Sequence, residues 1–400
     1  FGSWEGKRFI DNSKYMFLYA SNNHKEVTPI WLSKNKEIIK KLRDQHYNAY
    51  YMYGLKGIYY NLIAKYIISD TAFNSVNFWC CGGGTKIQLH HALLLKNMGK
   101  NDKKLPWKKP LGKIIYHYFN PWLFMKNDYV VCTSDFFIDK FATTFDIEKE
   151  KIIVAGFSRN DVIFKQIKGE NLIDINTFDK MKRLRLSNPD SKIILYMPTY
   201  RDKEEYTKKS TDFGKIINFA ELDKFLEEVN GYFIIKLHPT ININLQNQGR
   251  IIVLPSSFDI YPFLSQIDIL ITDYSSIYFD FLLTYKPIIF YPYDLDEYVK
   301  ESRGFLLNYE DFTPGPKALI FKELLYWIDY FIKGNDEFLS KRKKIMNLSF
   351  NYIDGNSSHR MTPINELVSS TSPSAAIRVE YLRLRVPSPR PVVPASPVRV

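Results

Sequence analysis

The sequence predicts an α/β protein of two doubly wound, Rossmann-like domains facing a central cleft, and three observations predict it. Short apolar runs recur along the chain, and they are continuous rather than alternating. Continuous runs are the mark of strands in a parallel sheet covered on both faces. The series occurs twice, with a polar stretch between the two. Four hundred residues also exceed what one core fills well, so two domains of about 150–200 residues are expected.

The first series is EVTPIWLS, AKYIIS, KIQLHHALLL, DYVVCTS and KIIVAGF, interleaved with helical stretches over 34–45 and 135–145. Residues 158–188 are polar and read as a helical hinge. The second series is KIILYMPTY, GYFIIKLHP, RIIVLP, DILITD and KPIIFYPYD, and a helical pattern follows over 317–350. The boundaries expected are 1–157, a 158–188 linker, 189–368, and a 369–400 tail. That tail has five Arg, no Lys and Pro at 373, 387, 389, 391, 394 and 397, a composition expected of a disordered or non-native segment.

Composition narrows the function. Hydrophobic residues are 45% and charged residues 24%, ordinary for a well-cored protein, and most of the 28 Tyr and 29 Phe are expected in that core. Three cysteines, two of them adjacent (Cys80 and Cys81), suit neither a disulfide framework nor a zinc site, so a reducing compartment is expected. The opening residues do not read as a signal peptide, and no run approaches the ~20 apolar residues of a bilayer span. The expectation is a protein that is soluble or lies on a membrane. The formal net charge of +12 suits an anionic surface or substrate. Lys96, Lys100, Lys103, Lys104, Lys108, Lys109 and Lys113 cluster beside Trp107, Trp122 and the apolar stretch 114–124. Two readings fit: an anionic membrane interface, or a solvated basic face beside a core helix. No nucleic-acid fold signature is present, and nucleic acid is not expected as a partner.

The chemistry-bearing residues sit where strands end. In DILITDYSSIYFD, a strand ends at Thr272 and Ser275 and Ser276 open a helix expected to reach Tyr285. Such a terminus can bind phosphate, or the serine can simply cap it. KLHP places Lys236 and His238 on one side at a strand end, and MPTYR does the same for Thr199 and Arg201. Arg303 follows in ESRGF, and arginine reads phosphate bidentately. In a doubly wound sheet these four strand ends converge on one cleft, a pattern suited to a diphosphate. In the N-terminal half, adjacent His90 and His91 end a strand; at most one enters the cleft easily, and it could act as a general base. Arg159 in GFSRND closes that half. Dinucleotide and P-loop motifs are absent. Asp294-Leu295-Asp296 has the form of a metal-binding tripeptide, yet no metal and no cofactor are expected.

Several of these segments resemble the CDP-glycerol glycerophosphotransferase family, the teichoic-acid and capsule polyol-phosphate primases and polymerases. The segments are SDFFIDKFATTFDIEKEKIIVAGFSRND, ILYMPTYRD, KLHP, the long run Asp259–Tyr298, SRGF, YEDFTPGP and YIDGNSS. The likeness covers about residues 1–365. It implies a GT-B-like fold, with CDP-glycerol or CDP-ribitol as donor in the 189–368 domain. It also implies a lipid-linked polymer acceptor and a peripheral location on the cytoplasmic membrane face. The donor site it implies is Arg159, Pro198, Thr199, Lys236, His238, Ser275, Ser276, Asp280 and Arg303, with His91 as base. The family's Trp-His-Gly reads His90-His91-Ala92 here, a departure that adds a Cβ at Ala92. The competing expectation is a GT-B glycosyltransferase using a nucleotide-sugar.

Overall fold

The computed structural model describes residues 1–102, 109–199, 216–238, 246–302 and 304–361. Arg201, Arg303, Pro239, Lys103, Lys104, Trp107, Lys108 and the 369–400 tail lie outside the described residues. Everything below falls within one compact unit, Phe1–Pro363.

Eleven strands are described, all paired in parallel: β1 (Trp31–Ser33), β2 (Ala49–Tyr51), β3 (Tyr66–Ser69), β4 (Thr85–Gln88), β5 (Tyr129–Cys132), β6 (Ile152–Val154), β7 (Lys192–Met197), β8 (Gly231–Lys236), β9 (Ile251–Leu254), β10 (Ile269–Thr272) and β11 (Ile288–Phe290). The C-terminal sheet has the order β11-β10-β7-β8-β9. Read from the other edge, its strands run third, second, first, fourth, fifth, the doubly wound Rossmann order. Strands β7, β8, β10 and β11 are buried on both faces, as continuous Ile/Leu/Phe runs require, while the edge strand β9 is partly exposed. Each wholly buried side chain of this kind contributes about 1.5–3 kcal/mol.

The N-terminal half has a four-stranded sheet, β3-β4-β5-β6, and a separate pair, β1-β2. Residues 1 and 2 join them. The Phe1 amine donates to Ile30 O (2.8 Å), Leu32 N–H to Phe1 O (2.9 Å) and Gly2 N–H to Ile68 O (3.1 Å). The first two residues thus occupy the central position, giving the order β2-β1-(1–2)-β3-β4-β5-β6. In a doubly wound sheet the crevice opens beside the central strand, where the winding reverses. In this half that point lies after Gly2 and Ser69. In the other it lies after Met197 and Thr272.

The helices used below are α1 (Asp11–Asn23), α2 (Lys36–Asp44), α3 (Leu55–Ile63), α4 (Pro110–Phe119), α5 (Ile138–Phe145), α6 (Asp161–Phe164), α7 (Ile175–Ser187), α8 (Phe219–Glu228) and α9 (Ile277–Leu282). Asn35 and Asn218 cap α2 and α8 by accepting backbone N–H bonds. The helix expected to reach Tyr285 stops at Leu282; a turn follows, and Tyr285 adopts a φ of 61°. The helical pattern over 317–350 resolves into Phe321–Ile332 and Leu339–Ser349, separated around Gly334.

The chain's end returns to the N-terminal half. Thr133 Oγ1 donates to Ser349 O and Ser134 Oγ to Leu348 O (2.7 Å). The N–H groups of Ser357 and Ser358 each donate to the Asp161 carboxylate at 2.8 Å. GFSRND and YIDGNSS, whose Asp161 and Ser357 are 196 residues apart in sequence, are therefore one packed unit. Gly156 makes this possible: its φ is 87°, and a Cβ there would lie 2.4 Å from Ser357 Oγ.

Candidate active site

At the C-terminal edge of the five-stranded sheet, adjacent strands β8, β7 and β10 present Lys236, Pro198–Thr199 and Asp273–Ser276. Asp273 ties two of them together: its Oδ1 accepts from Thr199 N–H at 2.8 Å. Thr272 Oγ1 donates to Met197 O at 2.7 Å, closing the same junction. Ser276 is the N-cap of α9, and Ser275 and Ser276 remain half-exposed while Tyr274 and Ile277 on either side are buried.

Lys236 ends β8 almost wholly buried, with Nζ 3.5 Å from Ser256 O. Burial lowers its ammonium to about 8, against an opposing pull from Asp259. His238 is held at about 4, first by burial and then by Lys236, Lys96, Arg8 and His91, so its ring is neutral at pH 7. Three of these four groups, Lys96, Arg8 and His91, belong to the N-terminal half, so basic groups from both halves act on this one C-terminal histidine.

Trp4 stands between the two histidines. Its ring centroid lies 5.8 Å from that of His91 and 5.9 Å from that of His238, and the Arg8 guanidinium lies 5.7 Å from it. Trp4 and Glu5 adopt φ values of 44° and 57°, which turn the chain sharply after the central strand. The His pair divides, although β4 already ends at Gln88 and it is the backbone turn at His90, not strand alternation, that parts the two rings. His90, with a φ of 55°, turns into the core edge-on to Phe141 and Phe145, and burial takes its pKa well below the ordinary value. His91 turns towards Trp4, with Nδ1 3.0 Å from Asp70 O. A carbonyl only accepts, so Nδ1 is the donor in this contact, and in the neutral ring the lone pair falls on Nε2.

Arg159 and Asp280 are held by protein groups. Arg159 Nη1 donates to Asp11 Oδ1 and Nη2 to Asp280 Oδ2, both at 2.7 Å. Burial opposes the guanidinium's charge, but Asp280, Tyr261 and Asp11 outweigh it and raise its pKa. Losing one partner of such a buried set typically costs about 3–5 kcal/mol. Ser302 and Gly304, which flank Arg303, sit beside the segment following His91. Asn97 N–H donates to Gly304 O at 3.1 Å, and Leu306 N–H to Leu95 O at 2.8 Å.

Residues 1–364 match the family described as CDP-glycerol:poly(glycerophosphate) glycerophosphotransferase. The chain belongs to this family. It is 30% identical over 328 residues to a teichoic acid poly(glycerol phosphate) polymerase of Bacillus spizizenii, covering 79% of each protein. It is 29% identical over 328 residues to a teichoic acid glycerol-phosphate transferase of Staphylococcus aureus, again covering 79% of each. A ribitol-phosphate polymerase of Staphylococcus aureus matches over 237 residues at 29% identity, 58% of this chain and 44% of that protein. Among solved structures, the wall teichoic acid polymerase TagF with CDPG, in its H444N form, has a TM-score of 0.70 at 23% identity, covering 92% of this chain and 87% of that one. At that identity the likeness speaks for the fold: an α/β architecture with parallel sheets.

As a family member the chain is a glycerophosphotransferase-type enzyme of teichoic-acid synthesis. The sequence reading missed Trp4, Arg8 and Asp11, and it read Lys96 only as part of the basic cluster, not as a neighbour of His238. Charge in the segment Gly6–Arg8 was visible, but only the pairing of Gly2 with Ser69 shows that this segment enters the site. Among the described residues no group of His, Cys, Asp or Glu is arranged to hold a metal ion, and Asp294 accepts from Tyr274 Oη at 2.9 Å.

Proposed function

We propose that this chain transfers a polyol phosphate, glycerol phosphate or ribitol phosphate, from its CDP ester to a hydroxyl of a lipid-linked polymer, releasing CMP. The observation that carries this reading is the gathering of Lys236, His238, Trp4 and His91 at one place. There the crevices of two doubly wound halves face each other in a GT-B-like arrangement, with 1–157 on the acceptor side and 189–368 holding the donor. The diphosphate sits at the C-terminal edge, against Lys236, Pro198–Thr199 and the half-exposed hydroxyls of Ser275 and Ser276.

His91 Nε2 takes the proton from the acceptor hydroxyl. The hydroxyl oxygen forms a bond to the distal phosphorus, and the bond to the bridging oxygen breaks as CMP leaves. Lys236 and a hydrogen bond from neutral His238 stabilise the charge that shifts onto the diphosphate oxygens. No divalent metal enters this scheme. Incubation with CDP-glycerol, CDP-ribitol and nucleotide-sugars tests it. The scheme predicts CMP from a CDP-polyol in the presence of acceptor; nucleoside diphosphate released from a nucleotide-sugar would favour the glycosyltransferase alternative.

The site works beside an anionic membrane surface. No residue of α4 is buried, and Leu111, Ile114, Tyr118 and Phe119 are 67–79% exposed, so the core-helix expectation for this stretch does not hold. Leu55 and Ile63 of α3 and nearby Trp79 are also exposed, and Phe78 touches Trp122 after α4 (6.3 Å). Lys56, Lys65, Lys109 and Lys113 lie among these apolar side chains. An apolar face set among lysines suits insertion at an anionic lipid interface. Among the described residues no helix is long and apolar enough to cross a membrane.

A further inference from the structure

The Arg159 side chain is 3% exposed, too enclosed for a phosphate to reach it. Its Nη donors are spent on the protein instead, while Nε is buried with no hydrogen-bond partner among the described residues. The backbone N–H donates to Asn12 Oδ1 (3.0 Å). Nη1 is shared between Asp11 (2.7 Å) and His91 O (2.5 Å), and Nη2 reaches Asp280 (2.7 Å). The Tyr261 ring lies 4.7 Å from the guanidinium, and its hydroxyl donates to Asp280 at 2.9 Å. Asn12 Nδ2 donates to His90 O at 2.7 Å, so residues 12 and 159 grip both carbonyls of the His pair. Asp11 Oδ2 also accepts from Trp4 Nε1 at 3.4 Å. Asp280 lies on α9, one turn beyond the Ser275–Ser276 cap.

We propose that Arg159, with Asp11 and Asp280 as its counter-ions, is a positioning residue that sets His91 in register with the Ser275–Ser276 turn, and is not a ligand of the donor. This rests on the polyol-phosphate transfer reading. One planar fork touches the backbone of the base, the aspartate that holds Trp4, and the helix that opens with the two serines. A lysine has a single nitrogen and cannot hold all three directions. A displacement of about 1 Å between reacting groups is enough to cost about 10²-fold in rate.

The test compares Arg159→Lys and Asp280→Asn with the unsubstituted chain. CMP release gives kcat and KM, calorimetry gives CDP affinity, and NMR follows the His91 ring, assigned by His91→Gln. The expected result is a kcat lowered about 10- to 100-fold with CDP affinity held within threefold, and a shifted His91 resonance beside an unmoved His359. Asp280→Asn keeps the Arg159 fork but removes the charge that anchors Nη2 to α9 and so frees the fork against His91, and it carries the test if Arg159→Lys does not fold. A tenfold loss of CDP affinity would instead make Arg159 a donor ligand, and an unchanged kcat would remove it from the site. If the unsubstituted chain turns over no CDP-polyol, the functional reading fails. The His91 resonance still decides the positioning role, which an unmoved signal in both variants would overturn.

Discussion

Raising the pH above 8 should weaken donor binding through one residue, Lys236. Burial at the end of β8 brings its ammonium down to about 8, against 10.5 for an ordinary lysine. A diphosphate binds the ammonium and not the neutral amine, so the apparent Kd grows with the neutral fraction of the free protein. The factor is roughly 2 at pH 8, about 11 at pH 9 and about 30 at pH 9.5. A lysine at the ordinary value would change affinity by less than about 1.1-fold at pH 9. Binding must also draw in close to one proton near pH 9. Isothermal calorimetry with CDP, in two buffers of different ionisation enthalpy, reads both quantities. Lys236→Met should bind weakly and lose the slope. A Kd that stays flat from pH 7 to 9.5 in the unsubstituted chain would refute the reasoning. Stability moves in the opposite sense. The folded lysine titrates below the unfolded one, so the unfolded chain holds more protons between about 8 and 10.5, and this group's penalty on folding lifts across that window.

Three further outcomes are expected. His91→Ala should lower kcat by about 10²–10⁴ with CDP affinity unchanged, and a loss below tenfold in purified protein would remove it as the base. Trp4→Ala should raise the acceptor KM by about 2- to 10-fold, the worth of one aromatic contact, and should leave CDP binding alone; equal loss of both would place the indole on the donor instead. Paired Ile63→Glu and Ile114→Glu should abolish sedimentation with phosphatidylglycerol vesicles, while turnover of a water-soluble acceptor persists. Continued vesicle binding would move the membrane face elsewhere on the protein.

The C-terminal sheet was legible because each of its five strands is a continuous apolar run ending in polar, turn-forming residues, and all five appear where those runs lie. The N-terminal half was harder. His90 and His91 read as the end of a strand, yet pairing stops at Gln88, and His90 adopts a left-handed backbone that no hydrophobic pattern encodes. β2 is only Ala49-Tyr50-Tyr51, too short to stand out, and the central position is filled by two residues with no strand signature. The site divides in the same way. Lys236, His238, Thr199 and Ser275 were readable from their places at strand ends. Trp4, Asp11 and Asp70 were not, since they reach the site through long-range pairing and through backbone angles visible only once folded. Arg159 was visible as a charge near a junction, but its buried partners Asp11 and Asp280 are 148 and 121 residues away.

The account stands on a diphosphate held at the edge formed by β7, β8 and β10. A structure of the His91→Asn protein soaked with CDP-glycerol measures this directly. The account predicts phosphate oxygens within hydrogen-bonding distance of Lys236 Nζ and of a Ser275 or Ser276 hydroxyl, with the polyol towards Trp4 and His91. A nucleotide bound elsewhere, or a diphosphate touching none of these groups, would contradict it.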